Sequence, residues 1–146
     1  LLGTAWLNCT YHGKSWMMFS YGNSVNEKAN ETWANYSYCP PTEAMKDIYY
    51  GCKRAFEYLE KAKAATKDKE IHAQVEFLMA RQRSWSYELT PEEQAAVDAM
   101  EWDKTGKFYL DKEMSFFKSW ASAYKSTGYY KQVAAGCPVL VTYFGK

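Results

Sequence analysis

From Thr42 to Thr66 the chain reads TEAMKDIYYGCKRAFEYLEKAKAAT, and this stretch decides the fold class. Met45, Ile48, Tyr49, Cys52, Ala55, Phe56, Leu59 and Ala62 fall at steps of three and four, the spacing of a helical stripe turned toward a core. Lys46, Lys53, Glu57, Glu60, Lys61 and Lys63 occupy the other side, with Glu57 and Lys61 spaced for an i,i+4 ion pair. Pro40-Pro41 stops whatever precedes, and Thr42 is suited to cap the first turn. The pattern predicts one amphipathic helix over residues 42–66.

Working toward the C-terminus, the polar break Lys67-Asp68-Lys69 leads to a second predicted helix, Glu70 to Arg83, with Ile71, Val75, Leu78 and Met79 as its stripe. So short a break predicts that the two helices pack as an antiparallel hairpin. Thr90-Pro91-Glu92-Glu93 carries Thr at the cap, Pro in the first helical position and Glu three residues after the cap, a strong helix start, and the helix should end near Trp102. Asp111 is placed to cap a further helix, Lys112 to Lys125, that turns Met114, Phe117, Trp120, Ala121 and Tyr124 inward. Thr127-Gly128 breaks it, Tyr129 to Ala135 is helical again, and Cys137-Pro138 interrupts. Val139 to Phe144 has the β-propensity of a short strand but suits a helical turn equally, and its helical neighbours favour the helix. The expected fold is all-α.

Toward the N-terminus, Leu1 to Leu7 has no initiator Met, no basic leader and no small-residue cleavage site, and reads as the middle of an amphipathic helix. The expectation is a chain that starts inside a longer protein. Between that segment and the Pro pair, residues 14–41 show no helical period and are rich in Asn, Ser, Tyr and Trp. A connection of this length is functional or poorly ordered. Trp16, Tyr21, Trp33, Tyr36 and Tyr38 are its candidate binding residues. Three roles are open to them: covering the helices, forming a protein contact, or stacking on a sugar ring whose hydroxyls meet nearby Asn and Ser.

The 146 residues suffice for one domain with a real core, and 47% apolar with 24% charged residues is a globular composition. A formal charge of +1, from 18 basic and 17 acidic residues, gives no basic excess for a nucleic acid, and the longest apolar run is too short to span a bilayer. Cys9, Cys39, Cys52 and Cys137 contain no CxxC pair; free thiols are expected, with two bridges as the alternative. Asn8-Cys9-Thr10, Asn30-Glu31-Thr32 and Asn35-Tyr36-Ser37 are glycosylation sequons, more than five Asn and 19 Ser and Thr would give by chance, so a secreted protein is an alternative setting. His12 and His72 read as a turn and a helix-surface histidine, and Glu92-Glu93 as a cap instead of an acid/base pair. No phosphate loop, nucleophile elbow or zinc-helix motif occurs, so neither an enzyme nor a cofactor or metal is expected.

Ala55, Leu59 and Ala62 stand where the second helix of a tetratricopeptide (TPR) unit has small, large and small residues, and Leu2-Gly3 with Trp6, followed by the turn Tyr11-His12-Gly13, resembles its first helix. Leu2 to Ala55 is 53 residues, which leaves an insertion of about 40 beyond the usual spacing. A second unit would use Glu70 to Arg83, with Met79-Ala80 in the Leu-Gly places, and Lys112 to Lys125 after an insertion from Ser84 to Leu110. The run from Phe117 to Tyr124, then Thr127-Gly128-Tyr129-Tyr130, is similar to bacterial envelope TPR lipoproteins. The resemblance implies a single TPR-like domain over residues 1–146, built of antiparallel helix hairpins with two long insertions, the C-terminal part of a larger protein. It also implies a scaffold or adaptor for another protein or assembly, at the cell envelope or outside the cell. A cell-surface glycan module using residues 14–41 is the alternative.

Overall fold

In the computed structural model, which describes residues 1–10, 13, 47–48 and 51–145, every regular element is helical and no strand occurs among the described residues. The elements are α1 (Leu2–Asn8), α2 (Lys53–Ala64), α3 (Lys69–Ser86), α4 (Pro91–Asp98), α5 (Trp102–Ser115), α6 (Lys118–Tyr124), α7 (Gly128–Gly136) and α8 (Pro138–Phe144). They group into two compact units, Leu1–Lys67 and Asp68–Lys146, and each is described by itself.

In the first unit α1 packs on α2. The stripe of α2 is real, but the single helix predicted over 42–66 is interrupted: Gly51 bends the chain and Cys52 caps α2 in the left-handed region at φ 57°. That conformation costs a non-glycine residue about 1–2 kcal/mol. The Cys52 side chain is fully buried and hydrogen-bonded with the Thr10 hydroxyl, which holds it there. Ala55 and Leu59 are buried as expected, whereas Ala62 is exposed. At seven residues against twelve, α1 is too short to cover the last turn of α2. Glu57 pairs with Arg54 at 3.4 Å, and Lys61 lies over the Tyr58 ring. On α1 the buried positions are Gly3 and Leu7, one turn apart, and a Cβ added at Gly3 would meet the Leu59 side chain.

In the second unit α3 packs against α5, α6 and α7, and α8 packs on α7. Asp68 caps α3 by accepting a hydrogen bond from the Glu70 N–H at 2.8 Å. Val75, Leu78 and Met79 are buried as expected, but Ile71 is 39% exposed. The face of α3 that meets the core runs through Phe77 and Ala80, with Ala73 fully buried on the same side, whereas Ile71 shares a second face with Val75 and Leu78 but lies in the first turn, where Lys69 and Glu70 are exposed too. The core joins Ala80, Met114, Phe117, Trp120, Ala121, Tyr130 and Leu140. Phe77 is its hinge pin, with ring centroids 4.9 Å from Trp120, 5.6 Å from Phe117 and 5.9 Å from Tyr129. The Trp120 indole N–H donates to the Ala73 carbonyl at 2.8 Å, so the largest ring in the core carries no unmet donor.

The Thr90 start forms in full. Thr90 Oγ1 accepts from the Glu93 N–H at 3.2 Å, and the Glu93 carboxylate accepts from the Thr90 N–H at 3.0 Å. The helix ends at Asp98, however, and Trp102 opens α5 instead of closing α4. Asp111 is likewise not a cap. It lies inside α5, where its carboxylate accepts from Lys107 and from the Tyr143 hydroxyl of α8 at 2.9 Å. The break between α5 and α6 falls at Phe116-Phe117, whose N–H groups bond three residues back to Glu113 and Met114. The predicted insertion Ser84 to Leu110 is therefore mostly helix, in α4 and α5. The expected break at Thr127-Gly128 falls between α6 and α7, and there Thr127 caps α7, which begins at Gly128. Thr127 Oγ1 accepts from the Tyr130 N–H, and Glu70 of α3 takes the Gly128 and Tyr129 N–H groups at 2.8 and 2.9 Å. The first three donors of α7 are thus met, one by its own cap and two by another helix.

Candidate functional site

The candidate binding residues Trp16, Tyr21, Trp33, Tyr36 and Tyr38, with Cys39 and His12, lie outside the described residues. Of the other cysteines, Cys9, Cys52 and Cys137 are free thiols. Burial pushes the Cys52 thiol up to about 11, the Thr10 hydrogen bond opposing it in part. Of the three sequons, Asn8 is the last residue of α1, and the Thr10 hydroxyl of the same sequon is buried and donates to the Leu7 carbonyl at 2.7 Å. Among the described residues no three His, Cys, Asp or Glu side chains come together to hold a metal ion, and no helix is long and apolar enough to cross a membrane.

What the described surface offers is aromatic and apolar, with exposed large residues on α1, α3, α5 and α8, and the most exposed tryptophan among them is on α5. Trp102, Gly106 and Leu110 follow one another at steps of four, about 12 Å from end to end. Trp102 is 91% exposed and Leu110 40%. Between them Gly106 leaves a gap, for a Cβ built there meets nothing within 4 Å. A glycine inside a helix costs about 1 kcal/mol relative to alanine, and nothing in the packing of unit 2 requires this one.

Polar contacts frame the C-terminal end of that face. Asp111, next to Leu110, is held below the ordinary Asp value first by Lys107 and then by the Tyr143 hydroxyl, and the same contacts raise Lys107 and Tyr143. The Asp111–Lys107 pair therefore stays charged across neutral pH. Through it Tyr143 of α8 is tied to α5, and Tyr143 and, one turn earlier on α8, Val139 are both exposed. Beyond the same end Lys112, in the last turn of α5, reaches back to Glu93 and ties the α4 cap to α5.

A sequence reading that ends a helix near Trp102 separates it from Gly106 and Leu110 and so hides this surface. Read as the start of one, Trp102, Gly106 and Leu110 share a face, and that spacing was the available signal. Compared with known protein families, curated proteins and solved structures, the chain matches no family model, no curated protein and no solved structure.

Proposed function

We propose that this chain is a protein-interaction module, a scaffold or adaptor within a larger TPR-like helical protein, and that the Trp102–Gly106–Leu110 face of α5 receives a partner. The observation that carries the reading is Trp102 standing almost free of its own protein beside an open glycine. Single exposed apolar residues are ordinary on any surface. Here, however, a tryptophan, a glycine open to its surroundings and a leucine lie in register on one helix. Tryptophan is also the residue whose burial contributes most at protein contacts.

The TPR-like part of the reading is supported by two packing details. Gly3 of α1 lies against Leu59 of α2 as the small residue of a first helix would. In the second unit α3 packs on α6, with Ala80 and Ala121 in the shared core. Small residues at those points let helix backbones approach closely.

The test is photo-crosslinking from position 106 in the full chain, with a benzophenone side chain in place of Gly106. A discrete protein adduct that disappears with Trp102→Ala, at unchanged thermal midpoint, supports the reading. No adduct, combined with glycan-array binding that is lost in Trp33→Ala, would move the function to residues 14–41.

A further inference from the structure

Arg81 of α3 is half-buried and has no counter-charge among the described residues. Its Nε is buried and meets no hydrogen-bond acceptor. Its guanidinium carbon lies 5.0 Å from the centre of the Trp85 ring, one turn along the same helix, and Trp85 is itself 47% exposed. Burial lowers the guanidinium's affinity for its proton, and the one titratable neighbour that opposes this is the phenol of Tyr129, which is neutral near pH 7 and half-buried against Phe77. No carboxylate contributes.

A guanidinium does not give up its proton in a protein, so this is a fixed positive charge, partly removed from water and facing rings. Such a charge costs free energy unless it is paired. Lys104 with Glu101, Lys107 with Asp111 and Lys112 with Glu93 are ion pairs of the same unit, each cation with a carboxylate to meet it. Arg81 has a buried Nε and no such carboxylate, and it stands where Arg, Trp and Tyr, three residue types concentrated at the energetic centres of protein contacts, come together.

We propose that Arg81, roofed by Trp85 and bordered by Tyr129, is the anchor for a carboxylate on a partner polypeptide, an Asp or Glu side chain flanked by apolar residues. The carboxylate would meet the terminal amino groups of the guanidinium end-on, in the fork geometry that two parallel N–H···O bonds require. Trp85 holds the fork's plane, and the apolar neighbours of the carboxylate lie on the exposed part of its ring. The local loss of water that makes the lone charge costly also strengthens the pair once it forms.

This inference rests on the reading of the chain as a protein-binding module, and it is tested separately from the α5 face. The probe is a blocked tripeptide, acetyl-Leu-Asp-Leu-amide, set against its Asn counterpart and against inorganic phosphate, with the Arg81 Nε–H signal followed by nuclear magnetic resonance in the full chain. We expect a saturable shift with the Asp peptide, about tenfold weaker binding of the Asn peptide, and about tenfold weaker binding of the Asp peptide to Arg81→Lys, which keeps the charge but not the fork. Equal affinity for the two peptides, no saturable shift, or tighter binding of phosphate overturns the proposal. The comparison of peptides uses the unmodified protein, so it decides the matter even where Arg81→Lys fails to fold. Peptide discrimination without a crosslink at position 106 would remove only the α5 surface; a crosslink without discrimination would remove only Arg81.

Discussion

A methyl group placed on Gly3 would lie 2.8 Å from both Cγ and Cδ2 of Leu59, and 3.1 Å from the Leu59 backbone nitrogen. The two helices of the first unit meet backbone to side chain at this point, with no space between them.

Gly3→Ala should therefore destabilise the protein by about 1–3 kcal/mol, the usual cost of forcing a methyl group into a filled contact. Gly106→Ala should do the opposite and stabilise by about 0.5–1 kcal/mol, because its Cβ meets open space and helix propensity improves. Urea midpoints for the two variants check the pair. Shifts of the same sign would refute the packing described here.

Leu59→Ala should cost about 2–5 kcal/mol as a buried large-to-small change. Ala62→Glu, three residues on, should be near neutral because Ala62 is exposed. Thermal midpoints distinguish this from a stripe buried along the whole length of α2, in which the second change would be the worse one.

Trp120→Phe should cost about 2–4 kcal/mol, combining lost ring volume with the lost bond to the Ala73 carbonyl. Trp102→Phe should leave stability within about 0.5 kcal/mol. Near-ultraviolet circular dichroism, which senses rings in fixed surroundings, should lose signal in the first variant and keep it in the second.

Glu93 is held below its ordinary value, chiefly by Lys112 and then by the Thr90 N–H. A carboxylate with a depressed folded value contributes stability that is present above its unfolded value and is lost as the pH falls through the lower, folded one. The gap in stability between wild type and Glu93→Gln should accordingly be widest near neutral pH and should close as the pH drops below about 4. Urea midpoints measured from neutral pH downward test this, and a gap that does not change with pH would count against it.

The Cys52 thiol, raised to about 11 by burial, is almost wholly protonated at pH 8, and only a thiolate reacts quickly with maleimide. Cys9 and Cys137, both partly exposed, should label first in the folded protein, and Cys52 only after unfolding. Peptide mapping after timed labelling gives the order directly. Early labelling of Cys52 would mean that the α1–α2 contact opens readily.

The helical class was legible because local chemistry and tertiary packing agree over most of the chain. Thr90-Pro91-Glu92-Glu93 and Thr127-Gly128 start helices where their side chains say they should. Elsewhere a long-range contact outweighed the local signal. Asp111 has the chemistry of a cap, yet Lys107 and Tyr143 use it inside a helix. Cys52 completes an unbroken three-and-four spacing, yet its backbone is left-handed, because periodicity records which side a residue faces and not whether the helix continues. Gly51 was the available warning. The candidate surface was the least legible part. The steps of four from Trp102 to Leu110 show a shared face, but the exposure of Trp102 and the missing counter-charge at Arg81 depend on what other helices leave uncovered.

Glu70 supplies two of the acceptors for the first turn of α7 from 58 and 59 residues away in the chain. The consequence concerns the order of folding. The helices of the second unit are local and can form early, but this contact must wait until the intervening chain has closed on itself, and closure costs entropy before it returns anything. Until then the Gly128 and Tyr129 N–H groups face water, and Tyr130, two residues on, has no fixed place against Trp120. Seating α7 on α3 is thus the event that turns a string of fluctuating helices into a unit with one arrangement of its rings. During synthesis, that event cannot occur until Tyr130 has left the ribosome.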